Sequence, residues 1–169
     1  RAISKGSYEA EKVSETISPS MDIQIASNFE RLIFDLNNGD DQQTSLDMKN
    51  IKEKGRYLIN DDKLNKISEN FLSARMSEDE TLEVIKKVYE KYSVVLDPHT
   101  AIGYGAFDKH NLKGNNIVLA TAHPCKFPDA VSKAINLKSD LPKELEFILN
   151  EKEDYDIVEN NLEKIKNYI

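Results

Sequence analysis

Two short apolar runs, each followed by signals for a helix start, constrain the fold of this sequence most strongly. The first run is Val94–Leu96, and the second extends from Asn116 to His123 (NIVLATAH). Runs of this length are typical of strands that are buried on both faces. Asp97-Pro98 follows the first run as an N-cap and a first-turn proline, and Pro128 marks a helix start after the second. Strands alternating with helices predict an α/β fold with parallel-sheet character.

Helical periodicity dominates the rest of the chain. Apolar residues recur at three- and four-residue steps between Ile25 and Leu36, and the glycine of NNGDD (37–41) predicts the end of that helix. Ser77 and Glu80 are spaced as a capping box at the start of another helix. The remaining patterns predict helices at Leu46–Ile51, Leu64–Phe71, Leu141–Leu149 and 157–169, and a brief strand at Tyr57–Ile59.

The domain organisation predicted from these patterns is a single piece, residues 1–169, that contains a helix-rich insertion at about 40–92. The helices between 44 and 92 are highly charged, and we expect their charges to form a solvated face. The chain begins at Arg1 and not at a methionine, which we interpret as the start of a cut chain.

Composition excludes several classes of function. The net charge is −7 and lysines alternate with acidic residues, so no basic patch for nucleic acid is expected. No apolar run approaches the ~20 residues that a membrane span requires. The single cysteine, Cys125, excludes an intramolecular disulfide and suits a reducing cytoplasm. The three histidines are scattered along the sequence, so no metal site is expected.

Three segments together resemble the last third of the threonine synthase family. They are the N-terminal motif SPSMDIQIASNFERLIFDL (Ser18–Leu36), the middle motif LDPHTAIGYGA (Leu96–Ala106) and the C-terminal motif ATAHPCKFPDAV (Ala120–Val131). The order and spacing of the three motifs match the family, so the resemblance covers nearly the whole chain. It implies the C-terminal part of a fold-type-II enzyme that depends on pyridoxal 5'-phosphate (PLP).

The implied activity is that of a lyase in threonine biosynthesis. Enzymes of this family convert O-phospho-L-homoserine and water to L-threonine and phosphate, with PLP as the electron sink. Their Schiff-base lysine and the glycine-rich loop around the PLP phosphate precede the N-terminal motif. Neither is expected in this chain, whose six glycines form no such cluster. The resemblance therefore implies that this chain needs the N-terminal part of the same enzyme and is inactive alone.

Three residues of the C-terminal motif are the candidate site residues. Thr121 ends the better predicted strand, where open α/β sheets bind ligands, although a strand threonine also commonly bonds to nearby backbone. The resemblance implies that Thr121 meets the pyridine nitrogen of PLP. His123 and Lys126 are candidates for holding the substrate phosphate. The alternatives are loop packing for His123 and a solvated charge for Lys126.

Other polar residues of the motifs have structural interpretations beside functional ones. Asp97 is expected to cap a helix, and His99 either faces the site or is a buried structural histidine. Arg31 is expected to pair with an acidic residue. Cys125 receives no chemical role, and the roles of Ser18, Ser20, Asp22 and Asn28 stay open.

Two other functions remain alternatives at this stage. One is another PLP-dependent phospho-lyase of the same superfamily. The other is a non-catalytic binding module with this fold, which intact family motifs argue against.

Overall fold

Helices account for most of the regular structure in the computed structural model, which describes residues 2–169. Contacts divide the chain after Ser139 into two compact units. The first unit contains α1 (Ala2–Lys5), β1 (Ser7–Glu9), α2 (Ser27–Leu36), α3 (Asp41–Lys54), β2 (Arg56–Leu58), α4 (Asp61–Asn70), α5 (Glu78–Tyr92), α6 (Pro98–His110) and α7 (Pro128–Ile135). Short 3-10 turns lie at Pro19–Met21 and Pro124–Lys126.

The helix α2 confirms the helix predicted from the spacing of its apolar residues. Its apolar stripe faces inward, and Ile33 is fully buried. The chain then turns through Asn38 and Gly39, with φ of 56° and 79°. Glycine adopts this left-handed backbone without steric cost, which explains why the helix ends here.

One hydrophobic core holds together the elements from α2 to α4 in this unit. Ile33 of α2 and Ile51 of α3 pack with Tyr57, Ile59 and Ile67. β1 and β2 form an antiparallel pair beside this core, with Tyr8 opposite Tyr57. The brief strand predicted at Tyr57–Ile59 is confirmed to within one residue, and the predicted helices near Leu46 and Leu64 are confirmed as α3 and α4. The interpretation of residues from about 40 to 92 as an insertion stays a prediction.

The expectation that the charges of 44–92 form only a solvated face is wrong for two of them. Asp47 is 4% exposed, and the Lys63 ammonium lies 3.7 Å from its carboxylate. Lys63 Nζ also donates to Asn37 Oδ1 (2.5 Å) and to the Tyr57 hydroxyl (3.1 Å). Burial raises the pKa of Tyr57, and the hydrogen bond from Lys63 opposes that rise. A buried carboxylate is tolerated here because charge and hydrogen bonds compensate it.

A second core forms where α5 packs against α6. Val84, Ile85 and Val88 of α5 are buried together with Ala101 of α6. The predicted capping box begins α5: the Ser77 hydroxyl accepts from the Glu80 N–H at 3.2 Å, and the Glu80 carboxylate accepts from the Ser77 N–H at 2.7 Å.

The two apolar runs do not form strands with any of the residues from 2 to 169. Val94–Leu96 and Asn116–Thr121 lie outside helix and strand, and residues 112–120 make no backbone–backbone hydrogen bonds with the described residues. Ile117 is 90% exposed and Leu119 is 73% exposed. An apolar run becomes a strand only when a neighbouring strand pairs with its backbone, and the described residues supply none. The predicted parallel pairing is therefore not made among residues 2–169.

The second unit, Asp140–Ile169, contains less helix than its apolar pattern predicts. The segment predicted as a helix at Leu141–Leu149 forms a 3-10 helix, Lys143–Asn150. The predicted helix at 157–169 is shorter, as α8 (Leu162–Tyr168). The Asn161 side chain caps α8 by accepting from the N–H groups of Glu163 and Lys164, which fixes where the helix begins.

Candidate functional site

The first turn of α6 contains a buried carboxylate. Asp97, only 1% exposed, caps the helix by accepting from the backbone N–H groups of His99 (2.9 Å) and Thr100 (3.4 Å). Pro98 takes the first helical position, where a missing N–H costs nothing. The predicted capping role of Asp97 is confirmed.

Asp97 also binds two side chains of its own helix. Its Oδ1 lies 3.1 Å from His99 Nδ1, and its Oδ2 accepts from the Thr100 hydroxyl. His99 and Thr100 are buried, at 5% and 4% exposure. A cap needs only the backbone bonds, so the two side-chain bonds require a separate explanation.

His99 connects the middle motif to the N-terminal motif. Its Nε2 accepts a hydrogen bond from the backbone N–H of Ser20 at 3.2 Å. An imidazole nitrogen that accepts an N–H carries no proton, so the proton lies on Nδ1 and points toward Asp97. The other ring contact is with Phe127 of the C-terminal motif, at 4.7 Å between centroids. His99 is thus a buried histidine with both nitrogens bonded.

Thr100 connects the middle motif to the C-terminal motif. Its hydroxyl oxygen accepts the backbone N–H of Thr121 at 3.1 Å. Sequence reasoning did not identify Thr100. The available signal was its position three residues after a helix-capping aspartate, inside the middle motif.

A cavity of ≈ 540 Å³ lies beside this network. Thr121 and His99 line it together with apolar residues that include Met21, Gly103 and Val118. The Thr121 side chain is exposed, and its hydroxyl makes no hydrogen bond within the part of the chain that the structure describes. A concave, mostly apolar space with few polar groups is typical of a small-molecule site.

His123 and Lys126 lie on the turn after Thr121 but do not line that cavity. Both are exposed, and His123 Nδ1 accepts from the Cys125 N–H at 3.2 Å, which caps the short 3-10 turn. Their predicted contact with a substrate phosphate stays a prediction. Cys125 is a free, half-buried thiol.

The polar residues of the N-terminal motif mainly organise its own turn. The Asp22 carboxylate accepts from the Thr16 N–H (2.8 Å) and hydroxyl (2.9 Å), and Thr16 in turn lies 3.1 Å from the buried Ser18 hydroxyl. The expectation that Arg31 pairs with an acidic residue is not met among residues 2–169, where Arg31 forms no ion pair and donates to Asn28 Oδ1 at 2.5 Å, one helical turn away.

Within residues 2–169, no cluster of three or more histidine, cysteine or acidic side chains is arranged to bind a metal ion. The described helices are also too short or too polar to cross a membrane.

Comparison with known proteins gives one consistent family. Residues 100–169 match the family profile "Threonine synthase, C-terminal". All of this chain aligns with threonine synthase of Saccharomyces cerevisiae at 37% identity, over 38% of that protein. It aligns equally completely with threonine synthase of Pseudomonas aeruginosa at 34% identity, over 37% of that protein. The chain thus spans little more than a third of the length of these relatives.

Solved structures agree with the sequence relatives. A crystal structure of PLP-bound threonine synthase from Brucella melitensis matches 99% of this chain with a TM-score of 0.85 and 38% identity, over 36% of its own length. A crystal structure of yeast threonine synthase matches with a TM-score of 0.81 and 36% identity. The predicted fold class is confirmed by these matches. The network that joins the three motifs, the profile and the two structures lead to one conclusion: this chain belongs to the threonine synthase family and corresponds to its C-terminal part.

Proposed function

We propose that this chain contributes the C-terminal part of an enzyme that converts O-phospho-L-homoserine and water to L-threonine and phosphate with PLP. The observation that carries the proposal is the meeting of all three motifs at one buried network. Ser20, His99 and Thr121 come from separate segments and are bonded directly or through one residue to Asp97. This network lies beside a cavity of a size that suits a cofactor.

Thr121 is the proposed contact to PLP. Its backbone is fixed by Thr100, and its hydroxyl is exposed at the cavity without a hydrogen-bond partner among residues 2–169. A hydroxyl in this position can donate to the nitrogen of an aromatic ring. PLP, when bound, withdraws electrons from the substrate, and a neutral donor at its ring nitrogen leaves that nitrogen largely unprotonated.

Other parts of the PLP site are proposed to come from the remaining length of the protein. The glycines of this chain, at positions 6, 39, 55, 103, 105 and 114, form no phosphate-binding loop. This chain aligns with little more than a third of each relative. We therefore assign the Schiff-base lysine and the phosphate cradle to the part of the protein that corresponds to the remaining length. The helix-rich segment of about 40–92 is proposed to be an insertion into this catalytic domain.

His123 and Lys126 are proposed to hold the substrate phosphate. Both side chains are exposed on the turn that directly follows Thr121, and neither forms an ion pair with a residue from 2 to 169, so both are accessible to a phosphate. A lysine ammonium is an effective point charge for phosphate.

The proposed location of the enzyme is the reducing cytoplasm, which the single cysteine of this chain suits.

The test compares the complete protein with residues 1–169 alone. We expect the complete protein to release phosphate from O-phospho-L-homoserine and to form threonine, and to keep PLP absorbance through dialysis. The isolated chain is expected to do neither. Threonine formation by the isolated chain would overturn the placement of the site, and no turnover by the complete protein would overturn the proposed reaction.

A further inference from the structure

We propose that Thr100 is a positioning residue, whose hydroxyl, oriented by the buried Asp97 carboxylate, fixes Thr121 at the cofactor ring. This inference rests on the proposed function and deepens it. Thr100 does not itself contact PLP in this proposal. It acts through the backbone of Thr121.

The Thr100 hydroxyl has a fixed direction. A threonine hydroxyl normally rotates to suit its neighbours, because it has one proton and two lone pairs. A carboxylate at neutral pH only accepts, so the bond to Asp97 Oδ2 makes Thr100 the donor. A lone pair of Thr100 Oγ1 therefore points toward the Thr121 N–H, and the distance from Oγ1 to the Thr121 nitrogen is 3.1 Å.

The Asp97 carboxylate is itself held firmly in place. Asp97 is 1% exposed and already fixed by two backbone N–H groups at the start of α6. Its bond to Thr100 is charge-assisted and shielded from water, which makes it stronger than a bond between neutral groups. The buried Asp97 at the start of α6 therefore fixes the orientation of the Thr100 hydroxyl, and water does not compete for this bond.

The Thr121 backbone is held by its bond to Thr100. Within residues 2–169, residues 112–120 make no backbone–backbone hydrogen bonds, and the Thr121 N–H donates to the Thr100 side chain. Across 21 residues of sequence, the bond to Thr100 ties the Thr121 backbone to a rigid helix. A side chain that must meet one ring atom needs such support, since small misplacements are costly in catalysis.

The experiment uses the complete protein with Thr100→Val and Thr100→Ser. Valine keeps the shape and removes both the acceptor for the Thr121 N–H and the donor to Asp97, whereas serine keeps the hydroxyl that makes both bonds. We expect Thr100→Val to lower kcat by about three- to tenfold with a smaller change in KM, and to shift the absorbance and fluorescence of bound PLP. It should also speed hydrogen exchange at the Thr121 amide. Thr100→Ser should restore wild-type values of all of these.

Thr81→Val is the matched control. Thr81 is similarly buried, at 2% exposure, but among residues 2–169 its hydroxyl donates only to the carbonyl of Ser77, the N-cap of its own helix, at 2.8 Å. It should lower the thermal midpoint and leave the PLP spectra unchanged. If Thr100→Val does not fold, Thr100→Cys replaces it, because a thiol is a weaker acceptor that still fits. The same spectral shift, smaller in size, is then expected.

The outcomes separate this inference from the proposed function. If the wild-type protein turns over substrate while Thr100→Val, or Thr100→Cys in its place, keeps wild-type kcat, PLP spectra and amide exchange, the positioning role is wrong and the proposed function stands. If the wild-type protein neither binds PLP nor forms threonine, the proposed function itself fails.

Discussion

The imidazole of His99 accepts a hydrogen bond from the backbone N–H of Ser20 at 3.2 Å, although 79 residues separate them in sequence. The same ring is held on its other side by Asp97, at 3.1 Å. The N-terminal motif is therefore attached to the start of α6 by one neutral histidine. Because both nitrogens are used inside the protein, His99 has no free nitrogen to offer a substrate in this arrangement.

The first prediction concerns this histidine. His99→Phe keeps an aromatic ring next to Phe127 but leaves the Ser20 N–H and one oxygen of the buried Asp97 carboxylate without their partner. We expect a loss of about 1–3 kcal/mol in the free energy of unfolding and faster hydrogen exchange at Ser20. His110→Phe is the control, since the hydrogen bond that the His110 ring makes within residues 2–169 is an exposed one to the Ser73 carbonyl. Equal thermal midpoints for the two variants would contradict the role of His99 in holding the motif.

The second prediction concerns Thr121 in the complete protein. Thr121→Val keeps the shape and removes the proposed hydrogen bond to the ring nitrogen. The change removes one neutral hydrogen bond and leaves the ring nitrogen as an unsatisfied acceptor. The two effects together should lower kcat by roughly ten- to a hundredfold. Thr121→Asp should be worse, because a carboxylate would favour a protonated ring nitrogen.

Three measurements distinguish this role from a purely structural one: kcat, the thermal midpoint and the PLP absorbance spectrum. A structural threonine would change the thermal midpoint and leave kcat and the spectrum alone. Wild-type turnover with an unchanged spectrum in Thr121→Val would remove Thr121 from the cofactor site.

The third prediction concerns the exposed apolar residues of the segment that carries no backbone pairing. Ile117 and Leu119 are 90% and 73% exposed. Unpaired backbone next to apolar side chains favours association. We expect residues 1–169 alone to self-associate in sedimentation experiments, and the double change Ile117→Lys, Leu119→Lys to reduce that association. The control is Leu46→Lys, at a half-exposed site on α3, which should have little effect. A monodisperse wild-type monomer would count against the prediction.

The fourth prediction concerns the buried ion pair between Lys63 and Asp47. Lys63→Met keeps the apolar stem but leaves the Asp47 carboxylate, with 6% side-chain exposure, without its cation. We expect a loss of about 2–4 kcal/mol in the free energy of unfolding. The pKa of Tyr57 should rise further, because the hydrogen bond from Lys63 lowers it. Denaturation in urea and an ultraviolet titration of tyrosine measure the two effects.

Lys49→Met is the matched control for Lys63→Met. The Lys49–Glu53 pair lies one turn apart on the same helix, with side-chain exposures of 65% and 58%. Exposed pairs of this kind contribute little, so the change should stay within about 0.5 kcal/mol. A comparable loss in both variants would show that burial does not set the strength of the Lys63–Asp47 pair.

The sequence by itself determined the helix boundaries that caps and glycines mark, and it determined the family. Caps, glycine stops and apolar spacing act within a few residues, and so the Ser77–Glu80 capping box, the Asp97-Pro98 helix start and the α2 stripe were all predictable. The three motifs likewise identified the family before any contact between them was known.

Only the tertiary structure decided which residues of these motifs touch. The bonds from Thr100 to Thr121 and from His99 to Ser20 join residues 21 and 79 positions apart, and no local pattern encodes such pairs. The same limit explains why Lys63 and Asp47 resembled solvated charges, and why Asn116–Thr121 resembled a strand. Burial and strand pairing depend on what the rest of the fold places beside a residue, and an isolated pattern of residue types carries no information about those neighbours.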